Sequence, residues 1–145
     1  MRIGQGIDVH AFSDDPERVL VLGGIVFPGE PGLVGHSDAD VPLHALMDAL
    51  LGAAGLGDLG RHFSDTDATY KDASSLGLLE QVLARVNDAG FQPVSADVTI
   101  IAERPRLAAH MPAMAELLTE RVGAPVSVKA TTTEHLGFTG RGEGI

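Results

Sequence analysis

Residues 36–54 read HSDADVPLHALMDALLGAA, and the spacing of apolar side chains there decides the fold class. Leu43, Leu46, Met47, Leu50, Leu51 and Ala54 recur at the three-and-four interval that gathers side chains on one stripe of a helix. Ser37 or Asp38 is expected to cap its start, and Pro42 suits the first turn, where its missing N–H has no helical partner. Gly52, Gly55, Gly57 and Gly60 end the pattern and open a loop to Tyr70. Toward the N-terminus, residues 19–27 read VLVLGGIVF, two apolar runs around Gly23-Gly24 that predict a hairpin. A loop with Pro28, Gly29, Pro31, Gly32 and Gly35 is expected next. Residues 2–10, RIGQGIDVH, set Ile3, Ile7 and Val9 among polar residues, the pattern of a half-buried strand.

In the other direction, a second helix starting near Asp72 to Ser75 carries Leu76, Leu79, Val82, Leu83 and Val86 inward and stops at Gly90. Val94–Ala102 alternates as a strand, Pro112 opens a third helix ending near Gly123, and Val126–Thr132 alternates again. The tail at 137–145, GFTGRGEGI, is glycine-rich and simply stops. This order predicts one α+β domain over 1–145, with helices packed on one face of a sheet. The helix-free face needs a cover, which oligomerisation would supply.

The chain of 145 residues is 44% hydrophobic and 21% charged, a globular profile of one-domain size. Twenty acidic residues against 10 basic ones give a net charge of −10. That balance repels nucleic acid and anionic membranes, and with few aromatic residues no base-stacking platform is expected. The absence of cysteine excludes thiolate zinc sites and cysteine nucleophiles. With no apolar run of membrane-spanning length and no leader pattern, a soluble, cytoplasmic protein is expected.

Asp8 and His10 lie two apart, so an extended backbone presents a carboxylate and an imidazole side by side. Alone, the pair reads equally as the polar edge of a strand. On the first helix, Asp40, His44 and Asp48 form a polar stripe opposite the leucines. Asp40 reads as solvated helix surface or as a support behind another group. His44 completes an Asp, His, His set with Asp8 and His10, a composition suited to zinc with an open position. His36 is placed where the helix begins, beside N–H groups that favour an anion. Asp58-Leu59-Gly60 and Phe63-Ser64-Asp65-Thr66-Asp67 are acidic, glycine-flanked loops that read as turns or as binding loops. Thr131-Thr132-Thr133-Glu134 offers hydroxyl donors and a hard oxygen ligand, or simply continues a strand. His62, His110 and His135 read as surface or loop residues.

Six segments in order resemble the 2-C-methyl-D-erythritol 2,4-cyclodiphosphate synthases: GIDVHAF at 6–12, HSDADVPLHAL at 36–46, the DLG and FSDTD loops, DVTIIAERPRL at 97–107 and VKATTTEHLGFTGRGEGI at 128–145. The resemblance implies a homotrimer around a central cavity, with active sites between subunits, that cyclises 4-diphosphocytidyl-2-C-methyl-D-erythritol 2-phosphate and releases CMP. By it, Asp8, His10 and His44 hold Zn2+, and Glu134 holds a second ion, Mg2+ or Mn2+. His36 and Thr132 stabilise the transition state, while His36 and Ser37 meet the phosphates. Asp8 and His10 also face substrate, and Asp48, Asp58, Leu59 and Gly60 lie along the methylerythritol. Phe63, Ser64, Asp65, Thr66 and Asp67 form a substrate loop. Ala102, Glu103, Arg104, Pro105, Arg106, Leu107 and Ala108 with Thr131, Thr132 and Thr133 form the cytidine pocket. Phe138 and Arg141 end the substrate site near the central cavity, which would take an isoprenoid diphosphate.

Some positions depart from the family pattern. Ser64 stands for a proline, Arg106 and Leu107 for lysine and methionine, Ile7 for a phenylalanine and His135 for a lysine. Family members also continue past Ile145 for another strand, so a C-terminal strand is expected to be missing here. Two rivals remain at this level: a metal-dependent phosphodiesterase, and a non-catalytic trimeric binder of nucleotide or isoprenoid diphosphate.

Overall fold

The computed structural model describes residues 1–64, 70 and 73–145. Asp65, Thr66, Asp67 and Asp72, assigned above to a substrate loop and a helix start, lie outside the described residues. The elements run β1 (Val19–Leu22), β2 (Ile25–Pro31), α1 (Val41–Ala54), α2 (Leu59–His62), α3 (Ser75–Asp88), β3 (Ala96–Ile101), α4 (Met111–Val122), β4 (Val126–Thr131) and α5 (Gly137–Gly140).

The hairpin forms as its sequence predicts. Gly23 and Gly24 take φ of 58° and 76°, the left-handed region a tight turn needs. β2 continues to Pro31 through a register irregularity at Val19/Leu20, so residues 28–31 are strand and the expected loop is shorter. β3 and β4 pair in parallel from Ala96↔Val126 to Ile101↔Thr131, with α4 as the crossover between them. β3 is shorter than the expected strand, and Val94 lies outside it, exposed. Among the described residues, the single expected sheet is two two-stranded sheets. The α+β class holds, with small sheets. Leu20, Leu22, Leu43, Met47, Leu51, Leu79, Val82 and Met114 fill one core between the sheets and α1, α3 and α4.

Residues 2–10 overturn an expectation in an informative way. They run extended over α1 but belong to no strand, and Ile3, Ile7 and Val9 are 90%, 81% and 50% exposed. The covered face is the even-numbered one. A Cβ at Gly4 would lie 1.8 Å from the Ala49 carbonyl oxygen, and one at Gly6 1.9 Å from that of Ala45. Only glycine lets the backbone lie this close to the helix, and the same alternation turns Asp8 and His10 toward α1.

α1 starts later than expected, with Asp40 in place of Ser37 or Asp38 as its cap. Asp40 is fully buried, which corrects its reading as solvated surface. Its carboxylate accepts from Gly23 N (2.8 Å), Gly24 N (2.7 Å) and Leu43 N (3.1 Å), tying the hairpin turn to the start of α1. The loop expected after α1 contains α2, capped by Asp58, which accepts from Arg61 N at 2.9 Å. The tail also has structure: α5 forms, and Ile145 is buried with its backbone exchanging two 3.0 Å bonds with His10.

A candidate metal centre

Asp8 and His10 arrive on the extended segment and His44 on the first turn of α1, and the three side chains converge. One carboxylate oxygen, Asp8 Oδ2, lies 3.1 Å from His10 Nε2 and 3.0 Å from His44 Nδ1. One ligand atom from each residue falls within 4.8 Å of the other two. Zinc bonds of about 2.0–2.1 Å subtend tetrahedral edges of about 3.3 Å, so the two separations from Asp8 Oδ2 match a zinc site to within a few tenths of an ångström. The donor set fits as well. Two imidazoles and one carboxylate leave room for a fourth ligand.

Proton placement on His10 supports that fit. Its Nδ1 lies 2.5 Å from the Val34 carbonyl oxygen, which can only accept, so Nδ1 carries the hydrogen. In the neutral ring the Nε2 lone pair then faces the Asp8 oxygen, an arrangement that needs a cation or a proton between them. Burial alone would raise the Asp8 pKa. Hydrogen bonds and positive charge from His10 and His44 outweigh it and hold the carboxyl well below its ordinary range. The hydrogen bond to Asp8 raises the His10 pKa against partial burial, with help from the Val34 carbonyl. On its far side, His44 Nε2 meets Ser75 Oγ (3.0 Å) and Ser37 Oγ (3.2 Å).

A cavity of about 320 Å3 opens beside the triad, bounded by His10, Ser37, His44, Leu59, Phe63 and Tyr70 among others. His36 and Ser64 also line it, while His36 sits five residues before α1 rather than at its first turn. Asp48 accepts from Leu59 N at 2.7 Å and so fixes the start of α2 against α1. Asp58 and Gly60 are exposed.

A second group of predicted residues gathers along the end of β3 and β4. Ala102 N donates to Thr131 O at 3.0 Å, and Glu103 accepts from Thr133 N (3.2 Å) and His135 N (3.1 Å). Glu134 and His135 take positive φ of 51° and 65°, a pair of left-handed residues that this carboxylate anchors. Thr132 Oγ1 donates to Glu134 Oε1 at 3.0 Å, and both residues are exposed. Arg104 covers the Phe12 ring at 4.6 Å, and Arg141 pairs with Glu143 at 2.5 Å. Pro105, Leu107 and Ala102 are buried, whereas Arg106, Ala108, Phe138 and Arg141 are exposed. Glu134 does not join the metal-binding group formed by Asp8, His10 and His44 among the described residues.

The remaining histidines stay apart from the triad. His62 bonds the Leu56 carbonyl at 2.9 Å, and His110 packs on Phe27 at 4.6 Å between ring centroids. Sequence reasoning missed Val34, Tyr70, Leu78 and Ser75 near the triad. Ser75 carried a signal only as a helix start, because its contact with His44 crosses 31 residues.

A model of the YgbB family matches residues 1–145. The 2-C-methyl-D-erythritol 2,4-cyclodiphosphate synthase of Moorella thermoacetica is 57% identical over 148 residues, covering 100% of this chain and 90% of its own. A solved 2C-methyl-D-erythritol-2,4-cyclodiphosphate synthase in a CDP-bound form superposes with a TM-score of 0.85 at 35% identity, covering 93% of this chain and 91% of the other. The bifunctional IspDF from Campylobacter jejuni gives a TM-score of 0.92 at 42% identity over 99% of this chain, which spans 39% of that larger one.

Proposed function

The chain belongs to the YgbB family, and from that premise we propose that it converts 4-diphosphocytidyl-2-C-methyl-D-erythritol 2-phosphate to 2-C-methyl-D-erythritol 2,4-cyclodiphosphate and CMP. The observation that carries this reading is the convergence of His10 Nε2 and His44 Nδ1 on one oxygen of Asp8. A protein of net charge −10 that takes a multiply phosphorylated substrate must neutralise it locally, and this cluster is where it would do so.

In the reaction, an oxygen of the substrate's 2-phosphate bonds to the β-phosphorus while the bond from that phosphorus to the bridging oxygen breaks. CMP leaves with the electron pair. The 2-phosphate is already ionised at neutral pH, so no side chain has to remove a proton from it. Asp8, His10 and His44 would hold zinc, whose chemistry when bound is to offset phosphate charge and polarise a phosphoryl oxygen. His36, exposed at the cavity rim, and the Ser37 hydroxyl present hydrogen-bond donors to phosphate oxygens. Asp48 holds the start of α2, along which methylerythritol would lie. Confining both phosphate groups beside one fixed cluster turns ring closure into a positioned step, and proximity of this kind contributes roughly 7–11 kcal/mol.

The second group supplies the other half. The Thr132 hydroxyl, which here donates to Glu134, would turn in the substrate complex to the charge that develops on the β-phosphate. Glu134 offers one carboxylate to Mg2+ or Mn2+, an ion that commonly completes its shell with phosphate oxygens and water. The edge made by 102–108 and 131–133 receives cytidine. Glu134 lies outside the cluster of Asp8, His10 and His44 among the described residues, and we assign the complete site to a boundary between copies in a homotrimer. The exposed Ile3, Ile7 and Val9 stripe gives those copies an apolar surface to bury, with the central cavity as the place for an isoprenoid diphosphate.

Phosphorus NMR of the zinc- and magnesium-loaded protein with this substrate tests the proposal. The expected result is paired resonances of a cyclic diphosphate together with CMP. A linear phosphate product would assign the chain to phosphodiester hydrolysis, and unchanged substrate would assign it to binding alone.

A further inference from the structure

Ser75 is fully buried at the first position of α3, and its hydroxyl stands between two groups far away in sequence. On one side is His44 Nε2 at 3.0 Å; on the other is Asp38 Oδ1. Asp38 also takes the Ser75 backbone N–H on Oδ2 at 2.9 Å and the Asp40 N–H on Oδ1 at 3.3 Å. Asp38 therefore caps α3 from the loop before α1, while Ser74, the residue flanking the helix, makes no side-chain cap.

Counting protons gives these contacts a direction. The Asp38 carboxylate can only accept, so the single Ser75 hydroxyl proton goes to Asp38. The Ser75 oxygen is left with lone pairs facing His44 Nε2, and that contact is satisfied when Nε2 carries the hydrogen. In the neutral ring, the form that binds a metal, the Nδ1 lone pair is then free on the side where Asp8 Oδ2 lies 3.0 Å away. Ser37 Oγ, 3.2 Å from Nε2, already accepts from Ala39 N and is a second, longer acceptor.

We propose that Ser75, oriented by Asp38, is a positioning residue that fixes the ring and tautomer of His44 so that Nδ1 is its metal-binding atom. This rests on the reading that Asp8, His10 and His44 hold a metal. Support of this kind behind a ligating histidine is worth about 10–100-fold in metal affinity. A purely structural role predicts otherwise. The α3 cap runs through the Ser75 backbone N–H, which survives in Ser75→Ala, whereas the tautomer lock needs the hydroxyl.

The test is zinc affinity by chelator competition on the purified full chain, with the visible absorption of the cobalt(II)-substituted protein as a second readout. The parent is expected to bind one zinc per chain at this site. Ser75→Ala should bind it about 10–100-fold more weakly with an altered cobalt spectrum, and Ser75→Thr, which keeps the hydroxyl, should recover most of the loss. Adding Asp38→Asn to Ser75→Ala should weaken binding by less than about threefold further, because the two act as one unit. Should Ser75→Ala fail to fold, Asp38→Asn decides by the same two readouts. Parent-like affinity and spectrum in Ser75→Ala, or in Asp38→Asn where it stands in, would overturn the positioning role alone. A parent that binds no zinc would remove the metal-site reading and this one together.

Discussion

The triad edge and the threonine–glutamate edge hold their polar groups in opposite ways. At the triad, each histidine has a partner behind it: Val34 carbonyl for His10, Ser75 and Ser37 hydroxyls for His44. These partners come from the loop before α1 and from α3, so the cluster is finished within one chain. At the other edge, Thr132, Glu134, Phe138 and Arg141 are exposed, and among the described residues the hydroxyl of Thr132 reaches only its neighbour Glu134. Glu103 fixes the backbone there but not the groups assigned to the chemistry. The difference teaches that the triad is preorganised by packing, while the edge proposed as the other half of the site is exposed.

Breaking the finished half should have the largest effect. His44→Ala is expected to lose bound zinc and to lower kcat/KM by at least about 100-fold. Elemental analysis beside a rate assay checks this, and full zinc occupancy in the variant would remove His44 from the ligand set. Thr132→Val probes the open half. It should lower kcat by about 100-fold while KM and zinc content stay within about threefold of the parent, because its hydroxyl acts on charge that develops in the transition state. A change confined to KM would reassign Thr132 to substrate binding.

Asp40→Ala sharpens the comparison from the scaffold side. It removes a helix cap and leaves the Gly23 and Gly24 N–H groups without their acceptor, at a cost of about 2–4 kcal/mol in stability by denaturant unfolding. A loss under about 0.5 kcal/mol would mean that water replaces the carboxylate.

The smallest effect is electrostatic. In metal-free protein, Asp8 titrates below its ordinary 3.8, so its contribution is present above that pH and lost as pH falls through the depressed value. His10 titrates above its ordinary 6.5, so its contribution is complete below that pH and lost as pH rises through the raised value. The pair is thus intact between about pH 4 and 6.5. Asp8→Asn should cost about 1 kcal/mol near pH 5.5 and less near pH 9, measured by thermal melts. An equal cost at both would show that the ion pair contributes nothing.

Much of this arrangement is legible in the sequence, for reasons that also mark where legibility stops. Leucines at helical spacing identify α1 and α3, and Gly23-Gly24 identifies the hairpin, because these signals are local. Asp8 and His10 share a face by alternation alone. Alternation does not say which face is covered, and Gly4 and Gly6 reverse the expected side by letting α1 approach. Asp40 looked like solvent-facing helix because its donors, Gly23 and Gly24, are distant in sequence. The same distance hid Asp38 and Ser75 behind His44. The division into two small sheets escaped because alternation predicts strands but not their pairing.

The central claim, that the two edges form one site across a boundary between copies, is tested most directly by mixing defects. His44→Ala chains and Thr132→Val chains, each nearly inactive alone, are co-assembled in equal amounts and assayed for CMP release. Random trimers in which each site joins the triad of one copy to Thr132 of its neighbour contain about one undamaged site in four, so activity should return to about a quarter of the parent. No recovery in verified mixed trimers would contradict the account, since every site drawn from a single chain would carry a lesion.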